Sequence, residues 1–161
     1  MTTSSRAVLA GIAGAALAAL AAALVSQHGY DMQPCPWCVL QRLIFVLIAL
    51  VAIGGLAWRS AIGQRSTAFG LLLLCSAGIA AALWQHFVAA ASNSCNLTLA
   101  DRIMSASGLP GLLPDVFEAR ATCADAAVNL LGVPYAFWGL ALFIAIELAA
   151  VWLLSRRHRL A

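Results

Sequence analysis

The sequence predicts an all-α integral membrane protein: an antiparallel four-helix transmembrane bundle whose long outer loop carries a short interfacial helix. Three observations predict it. Of the 161 residues, 63% are hydrophobic and only 9% charged, where soluble domains carry about 25% charged residues, and the mean hydropathy is +0.94. Four apolar stretches approach the roughly 20 residues a helix needs to cross a bilayer. Arginines crowd one alternate set of connecting segments and acids the other.

The chain reads as a single membrane domain, 1–161, with no internal repeat. The first expected span, residues 7–26, is rich in alanine and leucine and follows Arg6. Arg6 and the alanines suit a cleaved leader, but about 20 apolar residues exceed the usual 7–15 of such a segment. A retained span is therefore expected. The second span, 39–57, is rich in Leu, Ile and Val, and the third, 68–90, contains Cys75. The fourth, 134–154, holds one acid, Glu147, beyond its middle and far from the outer loops. A carboxyl there is either functional or a structural, protonated group, and its distance from the outer end favours the structural role. The connecting outer loops are 27–38 and 91–133.

Orientation follows from the arginines, because basic residues concentrate on the cytoplasmic side of membrane proteins. Arg6, Arg59, Arg65, Arg156, Arg157 and Arg159 flank the spans on one side with no acid among them. The opposite loops hold Arg102 and Arg120 against Asp31, Asp101, Asp115, Glu118 and Asp125. Both termini are expected inside and both acidic loops outside. The net charge of +3 is small and the arginines are not interleaved with aromatics, which argues against a nucleic-acid partner.

Five cysteines fall at 35, 38, 75, 95 and 123. In this topology Cys35, Cys38, Cys95 and Cys123 face outward, whereas Cys75 lies within a span as a small apolar side chain. Four outward cysteines suit structural disulfides, a zinc site or a redox relay. Zinc fits least, because Cys95 and Cys123 are far apart in sequence and form no second Cys-x-x-Cys. A Cys95–Cys123 bridge would close a long loop, but a Cys35–Cys38 bridge constrains little chain and is chemically labile.

Local electrostatics favour reactivity at the Cys-x-x-Cys. Cys38 sits at the head of the second span, where free N–H groups and the helix dipole favour an anion. Arg42 follows one turn later on the same face. It is either an interfacial arginine reaching for head groups or a functional cation, and its isolation at the outer end favours the latter. In the long loop, Leu109, Leu112, Leu113, Val116 and Phe117 recur with helical spacing. Pro110 and Pro114 disfavour one continuous helix, so a short, broken interfacial helix is expected near Pro114.

These features together resemble the DsbB family. The likeness rests on PCPWCVLQR at 34–42, on Gln85–His86, and on TCADAAVNLLGVPYAFWG at 122–139, in that order and topology, over essentially the whole chain. Members are inner-membrane enzymes of Gram-negative bacteria that reoxidise the periplasmic dithiol oxidase DsbA and pass electrons to a quinone. The resemblance implies resting Cys35–Cys38 and Cys95–Cys123 disulfides. It implies that DsbA attacks Cys95, that the freed Cys123 attacks Cys35, and that displaced Cys38 faces a ubiquinone or menaquinone. It further implies that Arg42 polarises the quinone oxygen and that His86 lies near it. One departure stands out: this chain has Val128 where the family pattern carries a tryptophan. A strong oxidant such as DsbA, near about −120 mV, can be regenerated only if electrons drain onward, which suits a bilayer-dissolved acceptor.

Two other readings fit part of this pattern. Vitamin K epoxide reductase-like proteins also link thiols to quinone, but there the loop cysteines precede the Cys-x-x-Cys. A non-enzymatic, disulfide-stapled scaffold leaves Arg42 unexplained.

Overall fold

The computed structural model describes residues 3–58, 60–91 and 98–158. Cys95, Arg59 and Arg159 lie outside them, as do the side chains of Arg156 and Arg157. In chain order the elements are α1 (Thr3–Tyr30), α2 (Pro36–Ala57), α3 (Ala61–Trp84) with a π-helical turn at Gln85–Ala89, α4 (Leu99–Ser107), α5 (Leu109–Leu112), α6 (Pro114–Phe117), β1 (Asn129–Leu130), β2 (Val133–Pro134) and α7 (Tyr135–His158).

Four helices are long and apolar enough to cross a membrane: α1, α2, α3 with its π turn, and α7. In hydrocarbon a spanning segment must satisfy its own backbone polar groups, which the helix does. Neighbours pack α1 on α2, α2 on α3, α3 on α7, and α7 back on α1. The protein is therefore an all-α membrane bundle.

Small residues let these helices approach. Gly78 of α3 faces the Phe143 ring of α7 so closely that an added Cβ would lie 2.5–2.6 Å from three ring carbons. Phe143 is fully buried and stacks on Phe45 of α2 at 4.2 Å between ring centres. This three-helix contact is the centre of the core, and close approach at small residues is how membrane helices gain packing.

The helices start where local chemistry caps them. Pro36 opens α2, its missing N–H being one that no helix start can use. Ser60 caps α3 by accepting the Gly63 N–H at 3.0 Å. The long loop is more helical than its sequence pattern suggests. Thr98 and Asp101 form a reciprocal capping box at the start of α4, and Gly108 (φ +69°) ends it in the left-handed conformation. Pro110 and Pro114 then divide the expected interfacial helix into two single turns, α5 and α6. The apolar stripe splits accordingly: Phe117 is buried, with Leu109 and Val116 packed against the core, while Leu112 and Leu113 face outward. A tight hairpin, β1–β2, follows with Leu131 and Gly132 both at positive φ, as a type I′ turn requires.

Candidate functional site at the outer end of the bundle

The site is built on the first turn of α2. Cys35 is the N-cap, and its sulfur accepts the Cys38 backbone N–H at 3.2 Å. The loop after α6 is stitched to the same place: Pro34 O accepts the N–H groups of Arg120 at 2.9 Å and Ala121 at 3.2 Å. Two residues later Cys123 reaches Cys35 and is buried with it. Residues distant in sequence thus converge on one sulfur, with Cys38 and Cys123 both close enough to Cys35 to perturb its thiol.

Among the described residues, the two cysteines outside the spans, Cys35 and Cys123, are electrostatically unequal. Hydrogen bonding to Cys123, then to Cys38, and then burial hold the Cys35 thiol well above the ordinary range. The same hydrogen bond from Cys35 lowers Cys123; burial opposes this, and the Trp37 backbone N–H assists it. Amide donors at a helix head favour a thiolate. Of the two, Cys123 is therefore the sulfur held nearer its thiolate form.

The four described cysteines, Cys35, Cys38, Cys75 and Cys123, are free thiols in this structure. The expected Cys35–Cys38 disulfide is not formed here, and the Cys35 sulfur instead accepts the Cys38 backbone N–H. Cys75 is fully buried within α3. The neighbouring Ser76 hydroxyl donates to Glu147 at 2.7 Å, joining α3 to α7. Glu147 therefore has a structural partner away from the cysteine cluster.

Arg42 is buried, at 6% exposure. Its guanidinium donates to Gln27 Oε1 at 2.6 Å, to Val116 O at 3.0 Å and to Ala23 O at 3.2 Å. Gln27 Nε2 in turn donates to Asp115 O at 3.3 Å. The arginine expected to be a functional cation thus also ties α1 and α6 to α2. His86 lies on the π turn, its ring 4.5 Å from that of Phe137. It lines a small cleft with Gln85, Cys123, Val128 and Tyr135. The structure thus gathers His86 with Cys123, and Val128 stands in that cleft wall.

Sequence reasoning assigned no role to Gln27, Gln41 or Gln85. All three are buried. Gln41 Nε2 donates to Gln85 Oε1 at 2.6 Å, and Gln85 Nε2 donates to the Cys38 sulfur at 3.2 Å. The available signal was an uncharged polar residue in or beside an apolar span, where an unpaired amide is costly. Gln85 also opens the π turn, a distortion frequent at functional sites.

Comparison with known proteins places the chain among disulfide bond formation proteins. The model of the family described as Disulfide bond formation protein DsbB matches residues 5–153. A Disulfide bond formation protein B from Aromatoleum aromaticum is 30% identical over 96% of this chain and 95% of its own length. Another, from Herminiimonas arsenicoxydans, is 34% identical over 89% of this chain and 91% of its own. The Disulfide bond formation protein B 1 of Pseudomonas syringae pv. syringae is 37% identical over 80% and 76% respectively.

Proposed function

Because the chain belongs to the DsbB family of disulfide bond formation proteins, we propose that it reoxidises a periplasmic DsbA-like dithiol oxidase and passes the electrons to a membrane quinone. The observation that carries this reading is the meeting of Cys38 and Cys123 on Cys35 at the head of α2. In the oxidised enzyme the partner's thiolate attacks Cys95 of a Cys95–Cys123 disulfide, forming a mixed disulfide and releasing Cys123. The partner's second thiol then resolves the mixed disulfide and leaves oxidised. The Cys123 thiolate attacks Cys35 of the Cys35–Cys38 disulfide, and Cys38 departs with the electron pair.

The residues present suit a quinone at this edge. Trp37 Nε1 is a buried donor without an acceptor among the described residues, one residue from Cys38. Trp84, Phe87 and Val88 expose apolar surface around the π turn. Cys38, Arg42 and His86 are the residues that would hold the head group; when bound, a quinone supplies a two-electron, two-proton acceptor. Arg42 adds a fixed positive charge beside the leaving sulfur, an effect that strengthens where water is excluded. The arginine pattern supports an inner-membrane enzyme with both termini cytoplasmic and the active cysteines periplasmic.

The test is purified protein mixed with a reduced DsbA-like partner, with and without ubiquinone or menaquinone. Partner thiols should disappear catalytically only when a quinone is supplied, and alanine at Cys35, Cys38, Cys95 or Cys123 should stop turnover while Cys75→Ala should not. Arg42→Met should slow quinone reduction more than exchange with the partner. Catalytic oxidation without quinone, or none with either quinone, would overturn the proposal.

A further inference from the structure

The buried amide pair Gln41–Gln85 is the polar contact on Cys38 that the relay above leaves without a task. Gln85 comes from the π turn after α3, Gln41 from α2, and each is more than nine-tenths buried. Gln41 Nε2 donates to Gln85 Oε1 at 2.6 Å. That bond fixes which end of the Gln85 amide faces the site, because reversing it would set two N–H groups against each other. The remaining end, Nε2, donates to the Cys38 sulfur at 3.2 Å. Gln41 Oε1 also lies close to α7: an added Cβ at Gly139 would lie 3.2 Å from it. The Gln85 carboxamide is thus oriented by its neighbour on α2.

We propose that Gln85 is a positioning residue for the leaving sulfur, donating an oriented amide N–H to the charge that gathers on Cys38, with Gln41 holding that amide in register. The assignment rests on the thiol relay proposed above. When the Cys123 thiolate attacks Cys35, the Cys123–Cys35 bond forms and the Cys35–Cys38 bond breaks. The electron pair stays on Cys38 as a thiolate. A neutral donor already in place favours that product without burying a second charge, and hydrogen bonds to charged groups are the stronger ones.

The experiment uses the full chain, fully reduced, in detergent at mildly alkaline pH, with neither partner nor quinone. A neutral haloacetamide is added, and the alkylation rates of Cys38 and Cys123 are read separately by mass mapping. Gln85→Met keeps the shape and removes the donor, so Cys38 should react about tenfold more slowly while Cys123 is unchanged. Gln85→Glu keeps an acceptor for Gln41 but offers a carboxylate to the sulfur, so it should slow Cys38 at least as much. Gln41→Met frees the Gln85 amide to rotate and should produce a smaller loss. Should Gln85→Met fail to fold, Gln85→Glu decides alone. A Glu variant with the wild-type Cys38 rate, or equal slowing at Cys38 and Cys123, would overturn the proposal. Because the assay omits the quinone, failure of the acceptor assignment would leave this result standing, and the reverse also holds.

Discussion

At the scale of single residues, the arrangement around Cys35 sets the order of reactivity. Hydrogen bonding with Cys35 is the largest influence lowering Cys123, and the same contact is the largest raising Cys35. In the reduced protein, alkylation of Cys123 should therefore rise with pH at a midpoint below that of an ordinary thiol, while Cys35 stays unreactive well above it. Cys35→Ala removes the main lowering influence, so the Cys123 midpoint should move upward. Alkylation followed against pH by mass mapping checks this, and an unmoved midpoint would mean that the Trp37 N–H alone polarises the sulfur. The resemblance named Cys123 as the attacker of Cys35, but the hydrogen-bonded setting of its sulfur was not legible in the sequence, because the Pro34 bonds that deliver it depend on the path of the whole outer loop. The setting of Cys38 was legible, since Pro36 and the apolar run locate a helix start directly.

At the scale of elements, α3 and α7 are held by a close approach at Gly78. Gly78→Ala should force the Phe143 ring off its stack with Phe45, costing about 1–3 kcal/mol. Gly14→Ala in α1 is the control, because nothing lies within 4 Å of the added methyl group. Thermal unfolding in detergent should separate the two variants clearly. Composition predicted the four long helices because a spanning helix needs only length and apolarity. It did not predict α4, whose stability comes from the Thr98–Asp101 capping box and Gly108 rather than from an apolar run. The interfacial stripe was visible as spacing, but the two prolines broke it and the core took half of its residues.

At the scale of the whole molecule, the arginine asymmetry makes a direct topological prediction. Reporter fusions should place residue 62 in the cytoplasm and residue 105 outside, and the opposite result at 105 would put the cysteine cluster in a reducing compartment. Sequence alone determined the number of spans, the expected orientation and the family likeness. Each of these rests on short-range properties: apolar length, flanking charge, and the order of motifs along the chain. Only the tertiary structure decided that the loop carrying Cys123 is bonded to Pro34 at the head of α2, that Arg42 ties α1 and α6 to α2, and that a hydrogen-bonded pair of glutamines reaches Cys38. Those outcomes depend on side chains from separate helices meeting in one buried place, where every amide and guanidinium needs a partner. No local pattern in the chain specifies which partner that will be.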